Sequence, residues 1–472
     1  MRVVVVGGGM AGLSAAYYLA TMARQADTPL ELTVLEGEPR WGGKIITERV
    51  DGFVIEGGPD TFLATKPWGV ALCRELDLAS RLQGTNPRQK NTYVLHQGRL
   101  QPLPEGLAMM VPTHFGSMAR TSLLSLPAKA RMGLDFLLPS RDGEHDESLG
   151  AFISRRLGRP AYENLIEPLM SGIYAGDGDR LSLQATFPYL RDMERDHGGL
   201  IRGALAMRQK VAVNGGSPNG SRSAFLTPSS GLAEIVDGLI ERLSAEGVIL
   251  RNGTSVQAIG NTAGEYQVSL ENGESLEADG VILATPAFAS GDLLERLAPE
   301  LSVQLGLIRY VTTATISLAY PLRSLPRPLD GYGYVIPRRE GRRALACTWT
   351  STKFPHRAPD GHALLRVFVG RAGQEEQIAW DEASLLQIAQ EELELTLGIT
   401  AEPSLRRVFI WERAMPQYEL GHPARLRRIE AALEHLPGLA LAGNGYRGIG
   451  IPDCIHSGQL AAERILASQL SL

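Results

Sequence analysis

The opening twenty residues constrain the 472-residue chain more than any other stretch. Arg2 to Val6 (RVVVV) is a run of β-branched side chains of the kind that forms a strand buried on both faces. It ends abruptly in Gly7-Gly8-Gly9-Met10-Ala11-Gly12, and the Ala- and Leu-rich sequence from Met10 to Ala23 predicts a helix starting there. Gly7, Gly9 and Gly12 carry the spacing GxGxxG. In such a unit the first glycine permits the tight turn, the second lets backbone N–H groups approach a pyrophosphate, and the third lets the helix pack on the strand. Taken alone, the spacing fits an ordinary glycine turn about as well as a dinucleotide site.

The next strand weights the choice. Leu30 to Leu35 (LELTVL) reads as β-structure and ends at Glu36, 24 positions after Gly12, near the separation at which a carboxylate meets an adenosine ribose. A carboxylate there accepts bonds from both ribose hydroxyls and repels a 2′-phosphate; the competing reading is a solvated strand end. The chain is about three times a common single domain, so more than one lobe is expected. Lys plus Arg is 47 and Asp plus Glu is 52, a net charge of −5 that gives no general grip on nucleic acid. Cys73, Cys347 and Cys454 lie far apart without a CxxC pair, so neither a disulfide framework nor a zinc site is read, no metal is expected, and a reducing, cytoplasmic setting fits best. The glycines interrupt the N-terminal apolar run, which therefore reads as structure and not as a signal peptide. No apolar stretch reaches the roughly 18 residues needed to span a bilayer.

A second motif follows Glu36: Arg40, then Gly42-Gly43-Lys44, and later Glu56-Gly57-Gly58-Pro59-Asp60-Thr61. This pattern resembles the second flavin motif of the monoamine oxidase and phytoene desaturase superfamily, whose members bind FAD. The resemblance implies that Gly7, Gly9, Met10, Ala11, Gly12 and Glu36 bind this cofactor, and that Arg40 and Lys44 face the diphosphate. It also implies that Gly42 and Gly43 allow close backbone approach, and that Gly58, Pro59, Asp60 and Thr61 line the cofactor. The alternative is a β-turn with a surface cation.

Further on, Gly247 to Leu250, Thr254 to Ile259, a hairpin over Tyr266 to Leu276 with an Asn272-Gly273 turn, and Asp279 to Pro286 read as strands after a helix from Ser230 to Leu243. By the same resemblance Val256 offers backbone contacts to the adenine, its alternative being a core valine. The expected architecture is α/β: a split Rossmann-type FAD-binding domain (1–90, 222–290 and 406–472), a helical insert lobe (91–210), and a mixed-sheet substrate domain (300–405). Residues 211–223 are a Gly/Ser/Asn stretch read as a loop.

The C-terminal part reads as a strand, Leu439 to Ala442, a glycine-rich turn, Gly443 to Asp453, and a helix from Cys454. Amides at such a turn, aimed at the N1/C2=O edge of a flavin, would stabilise the reduced ring, with Gly443, Ile449, Gly450 and Ile451 as the contacts. Stretches GPDTFL (Gly58 to Leu63), NLIEPLMSGIYAGD (Asn164 to Asp177), ACTWTSTKFPH (Ala346 to His356), Trp411 with AMPQY, and GIGIPDC (Gly448 to Cys454) resemble the bacterial HemY-type porphyrinogen oxidases. Within that branch the chain is most similar to the soluble type that oxidises coproporphyrinogen III to coproporphyrin III. The resemblance implies noncovalent FAD, a tetrapyrrole substrate, and oxygen reduced to hydrogen peroxide. Trp411 is expected against the flavin, or else in the core. Lys66 is the candidate for anchoring a propionate or assisting proton transfer, against the reading of an exposed lysine before Pro67. The nearest alternative substrate is protoporphyrinogen IX; an FAD-containing porphyrin carrier without catalysis is a reading of another class. Leu107 to Met118 allows weak peripheral membrane contact or handover to a ferrochelatase-type enzyme, although packing in the lobe's own core is preferred.

Overall fold

Five short strands drawn from the two ends and the middle of the chain make one parallel sheet. In spatial order they are Ile249–Arg251, Glu31–Leu35, Arg2–Val6, Gly280–Leu283 and Leu439–Leu441. The first strand is buried on both sides, and its period of two sorts the valines. Val3 and Val5 enter a core shared with helices Met10–Gln25, Ala233–Ala245 and Ile451–Leu470. Val4 and Val6 enter another, shared with the antiparallel strands Val256–Thr262, Glu265–Leu270 and Ser275–Ala278 and with helices Ala287–Leu294 and His422–Glu434. The split Rossmann-type layout expected from the sequence is the one observed. The structure is a computed structural model and describes every residue except 109–110, 142–144, 214–222, 263 and 471–472. Most of the expected 211–223 loop therefore lies outside the described residues.

A second, mixed sheet has seven strands in the order Leu405–Pro416, Tyr310–Pro321, His362–Val369, Ala344–Trp349, Gly331–Val335, Asn91–His96 and Arg99–Pro102. Two of its members correct the reading from sequence. Residues 91–102, where the sequence predicts the start of a helical lobe, form an edge hairpin, its turn made by Gln97 and Gly98 with φ of +52° and +72°. Two consecutive positive φ values are what a tight hairpin needs. Asn91–His96 then pairs in parallel with Gly331–Val335, a partner more than 200 residues away that local periodicity does not reveal. Likewise the strand Leu405–Pro416, assigned largely to the cofactor domain, pairs with Tyr310–Pro321 and belongs to the mixed sheet.

The lobe beyond residue 103 is mainly helical and has its own core, which includes Phe152, Ile153, Leu165, Ile166 and Met170. One turn, Tyr162–Ile166, is π-helical. Val111 and Met118 are buried in that core, so this part of the segment considered for membrane contact packs inward; Met109 and Met110 lie outside the described residues. No helix among the described residues is long and apolar enough to cross a membrane.

Candidate flavin site

The glycine turn after the first strand is closed by backbone packing. Gly7 has a φ of +111°, and its N–H donates to the Leu35 carbonyl at 2.7 Å. A Cβ at Gly12 would lie 1.8 Å from the Gly7 carbonyl oxygen, so no side chain fits there. Met10 and Ala11 are buried at the head of the helix. No side chain caps this helix and its first turn holds no acid, so its positive end is not neutralised from within. Glu36 is fixed beside the turn, one carboxylate oxygen accepting the Gly8 N–H at 2.7 Å and the other the Glu38 N–H at 2.9 Å.

The second motif lies directly against the first. Gly42 N–H donates to the Gly8 carbonyl at 2.8 Å, and a Cβ on Gly43 would come within 3.1 Å of Gly9 Cα. Arg40 is half-buried and only loosely held, with Nη1 3.4 Å from the Trp41 and Ile45 carbonyls, so its other donors can serve an anion; burial lowers its pKa. Lys44, the other cation of this motif, is turned inward. Its ammonium donates to the Ala414 carbonyl and lies 5.8 Å from the centre of the Tyr310 ring, and burial pushes its pKa down to about 8.

The mixed sheet grips the Gly57–Asp60 segment. Trp411 Nε1 and Thr315 Oγ1 both donate to the Gly57 carbonyl, at 2.9 and 2.6 Å, and Arg366 donates to that of Gly58. A Cβ at Gly58 would lie 1.8 Å from the Lys44 carbonyl oxygen. Pro59 follows in the same half-buried loop, and Thr61 Oγ1 donates to Asp60 at 3.0 Å. Burial alone would raise the Asp60 carboxyl, but Lys353 at 3.0 Å and the nearby Arg366 outweigh it and hold it at about 2. Trp411 is thus a strut between sheet and turn. Val256 begins its strand two residues beyond Thr254, whose N–H donates to the Glu36 carbonyl at 2.8 Å, so it lies on the Glu36 side of the site.

The C-terminal turn closes the set. Gly443, with φ of +128°, donates to Ser457 Oγ at 3.0 Å, and nothing lies within 4 Å of where its Cβ would be. Tyr418 Oη donates to the Asn444 carbonyl at 2.5 Å, and His422 Nε2 lies 2.9 Å from the Tyr446 carbonyl. His422 is fully buried and stacked on Tyr418, and desolvation depresses its pKa to about 4. Gly450 N–H donates to Asp453 at 3.1 Å, and both Asp453 oxygens accept from Lys66 Nζ, at 2.6 and 2.7 Å. Ile449 packs toward the helical lobe, whereas Ile451 enters the core beneath the parallel sheet.

These contacts draw the first, second and C-terminal motifs into one cradle. Glycines at which a Cβ would meet backbone, and an uncapped helix start, suit a flavin nucleotide whose diphosphate needs amides at close range. Sequence reasoning passed over four side chains that shape it: Arg366, Lys353, Asp453 and Tyr310. Two stood inside quoted motifs, Lys353 in ACTWTSTKFPH and Asp453 in GIGIPDC. Arg366 carried a quieter signal, a lone charge in the apolar run LLRVFV, where period two places it on the face of Leu364 and Phe368.

The family model for flavin-containing amine oxidoreductases matches residues 10–466. The chain belongs to that family. It is 38% identical over 474 residues to the coproporphyrinogen III oxidase of Bacillus subtilis strain 168, covering 98% of each chain. It is 35% identical to the enzyme of the same name from Propionibacterium freudenreichii subsp. freudenreichii, covering 100% of this chain and 92% of that one. A crystal structure from Exiguobacterium sp. 255-15 superposes with a TM-score of 0.86 at 34% identity, covering 99% of each. Members of this family carry a flavin, which agrees with the cradle assembled above.

Proposed function

We propose that the chain is an FAD-dependent oxidase that converts coproporphyrinogen III to coproporphyrin III in heme biosynthesis, with oxygen as acceptor and hydrogen peroxide as by-product. The observation that carries this reading is the end-to-end similarity to coproporphyrinogen III oxidases, joined to a cradle with three separate glycine contacts. When bound, the flavin supplies the two-electron sink that removal of six hydrogens from a porphyrinogen needs three times over. The chain's own residues bind and orient. The amides following Gly9, with Arg40, hold the diphosphate. Glu36 meets the ribose and the Val256 backbone the adenine, while Gly443 and the Ile449–Ile451 turn lie along the ring edge. Trp411 keeps the Gly57–Thr61 loop in place.

Lys66 spends two N–H donors on Asp453 and retains a third, which suits it to a substrate propionate. FAD is held noncovalently in this reading, because burial pushes the Cys454 thiol up to about 12 and leaves almost no thiolate for bond formation. We place the protein in the cytoplasm, handing its product to a ferrochelatase-type enzyme.

The test is anaerobic mixing of the yellow protein with coproporphyrinogen III, followed by aerobic turnover of coproporphyrinogen III and protoporphyrinogen IX side by side, read by porphyrin fluorescence. Bleaching of the flavin and preference for the four-propionate substrate are expected. An unbleached flavin would leave a porphyrin carrier, and faster turnover of protoporphyrinogen IX would reassign the substrate.

A further inference from the structure

A cavity of about 710 Å³ opens at the edge of the seven-stranded sheet, away from the flavin cradle. The edge hairpin gives it His96, Gln97, Arg99 and Gln101; Ser122–Ser125, Pro160 and Asn164 of the helical lobe, together with Arg339, complete its lining. The hairpin's outer strand lies four strands from His362–Val369, which carries Arg366. At ordinary strand spacing that is about 19 Å.

Three features mark the cavity as a built site. Its rim is tied together across elements: Ser122 Oγ donates to Gln101 at 2.7 Å, and Asn164 Nδ2 donates to the Leu123 carbonyl at 2.9 Å. Its lining carries two cations, Arg99 and Arg339, and no acidic side chain, the nearby Glu340 being taken up by the Gln97 and Gly98 N–H groups at 2.9 and 3.2 Å. Arg99 has no ion-pair partner among the described residues, and Arg339 reaches Glu163 only at 3.7 Å while donating to Asn164 at 3.0 Å. Its polar equipment is under-used: among the described residues the buried His96 Nδ1 has no hydrogen-bond partner. Asn164 sits in the π-helical turn, a distortion found often at functional sites.

We propose that this cavity is a second ligand site, for a small polyanion with several carboxylate or phosphate groups. The volume lies within the roughly 300–1,000 Å³ of small-molecule sites, and Leu123, Leu124 and Pro160 offer an apolar wall to a ring. Identifying the carboxylate form with the porphyrin product rests on the functional reading above; the anion chemistry does not.

Equilibrium dialysis of the flavin-loaded protein against coproporphyrin III, and separately against ATP, decides it, with the double variant Gln97→Glu/Arg99→Glu as control. Two porphyrins per chain are expected in the parent, the second weakened at least tenfold in the variant, with flavin content and flavin bleaching by coproporphyrinogen III unchanged. ATP binding that the same variant abolishes also supports the site and assigns it to phosphates. Neither ligand binding beyond the cradle, or binding that the variant leaves intact, overturns the proposal. Dialysis as expected with a flavin that coproporphyrinogen III does not bleach would overturn the functional reading and leave the anion site standing.

Discussion

The helices Met10–Gln25 and Ile451–Leu470 both start on glycine turns and pack so closely that a Cβ on Gly458 of the second would lie 2.4 Å from the Ala11 carbonyl oxygen of the first. They treat their positive ends in opposite ways. The first has neither a side-chain cap nor an acid in its opening turn. The second carries Asp453, which accepts the Gly450 N–H and is itself held by Lys66. At the first helix Glu36 takes only the Gly8 N–H of the preceding turn and no acid lies in the helix itself, so the amides from Gly9 onward suit a full negative charge from the ligand, such as a diphosphate. An end already supplied with a carboxylate suits a neutral, polar ring edge. Two similar motifs can therefore divide one nucleotide between them by charge.

The most severe break in this contrast is Gly12→Val, which drives a side chain into the Gly7 carbonyl; the purified protein is expected to be colourless and to stay so with added FAD. Yellow protein from that variant would mean the bare end is not the anion seat. The capped end should instead be the acid-labile one, through His422, which holds the Tyr446 carbonyl. Burial depresses this histidine to about 4 from an ordinary 6.5, so the unfolded chain binds the extra proton first as pH falls. Stability present above pH 6.5 should be lost between there and pH 4, by up to about 3 kcal/mol. Thermal melts across that range should show the loss, and His422→Gln should flatten it.

Lys66→Met should leave flavin content unchanged while raising the KM for coproporphyrinogen III roughly tenfold, about 1.4 kcal/mol; an unchanged KM would confine Lys66 to holding Asp453. The smallest effect is expected from Asp453→Asn, which removes the charge at the second helix start. The flavin midpoint potential should rise by on the order of 20 mV, and a fall would place the ring edge elsewhere.

What the sequence made legible was local. Val3 to Val6, the glycines at 7, 9 and 12, and Glu36 carry their meaning in neighbours a few positions away, and strand, turn and helix lie where those residues indicate. What stayed hidden depends on distant partners. Nothing near Lys66 announces Asp453, 387 positions along, and nothing near Arg366 announces the Gly58 carbonyl, 308 positions before it. The edge hairpin at 91–102 was missed for the same reason. Its Gln97-Gly98 turn is readable, but its place in the sheet depends on Gly331–Val335. Lys44 shows that a motif can fix where a residue sits on the backbone without fixing where its ammonium points.

The strand order of the parallel sheet also bears on biosynthesis. Arg2–Val6 is made before its neighbour Gly280–Leu283, which is itself flanked by Leu439–Leu441, made later still. Until both are made, the nascent chain must keep Val3 to Val6 from wrong partners without the sheet that will cover them. A chain truncated between Pro416 and Leu439 should therefore yield a species that chaperones retain or proteases clear, even though every strand of the mixed sheet would already have been made.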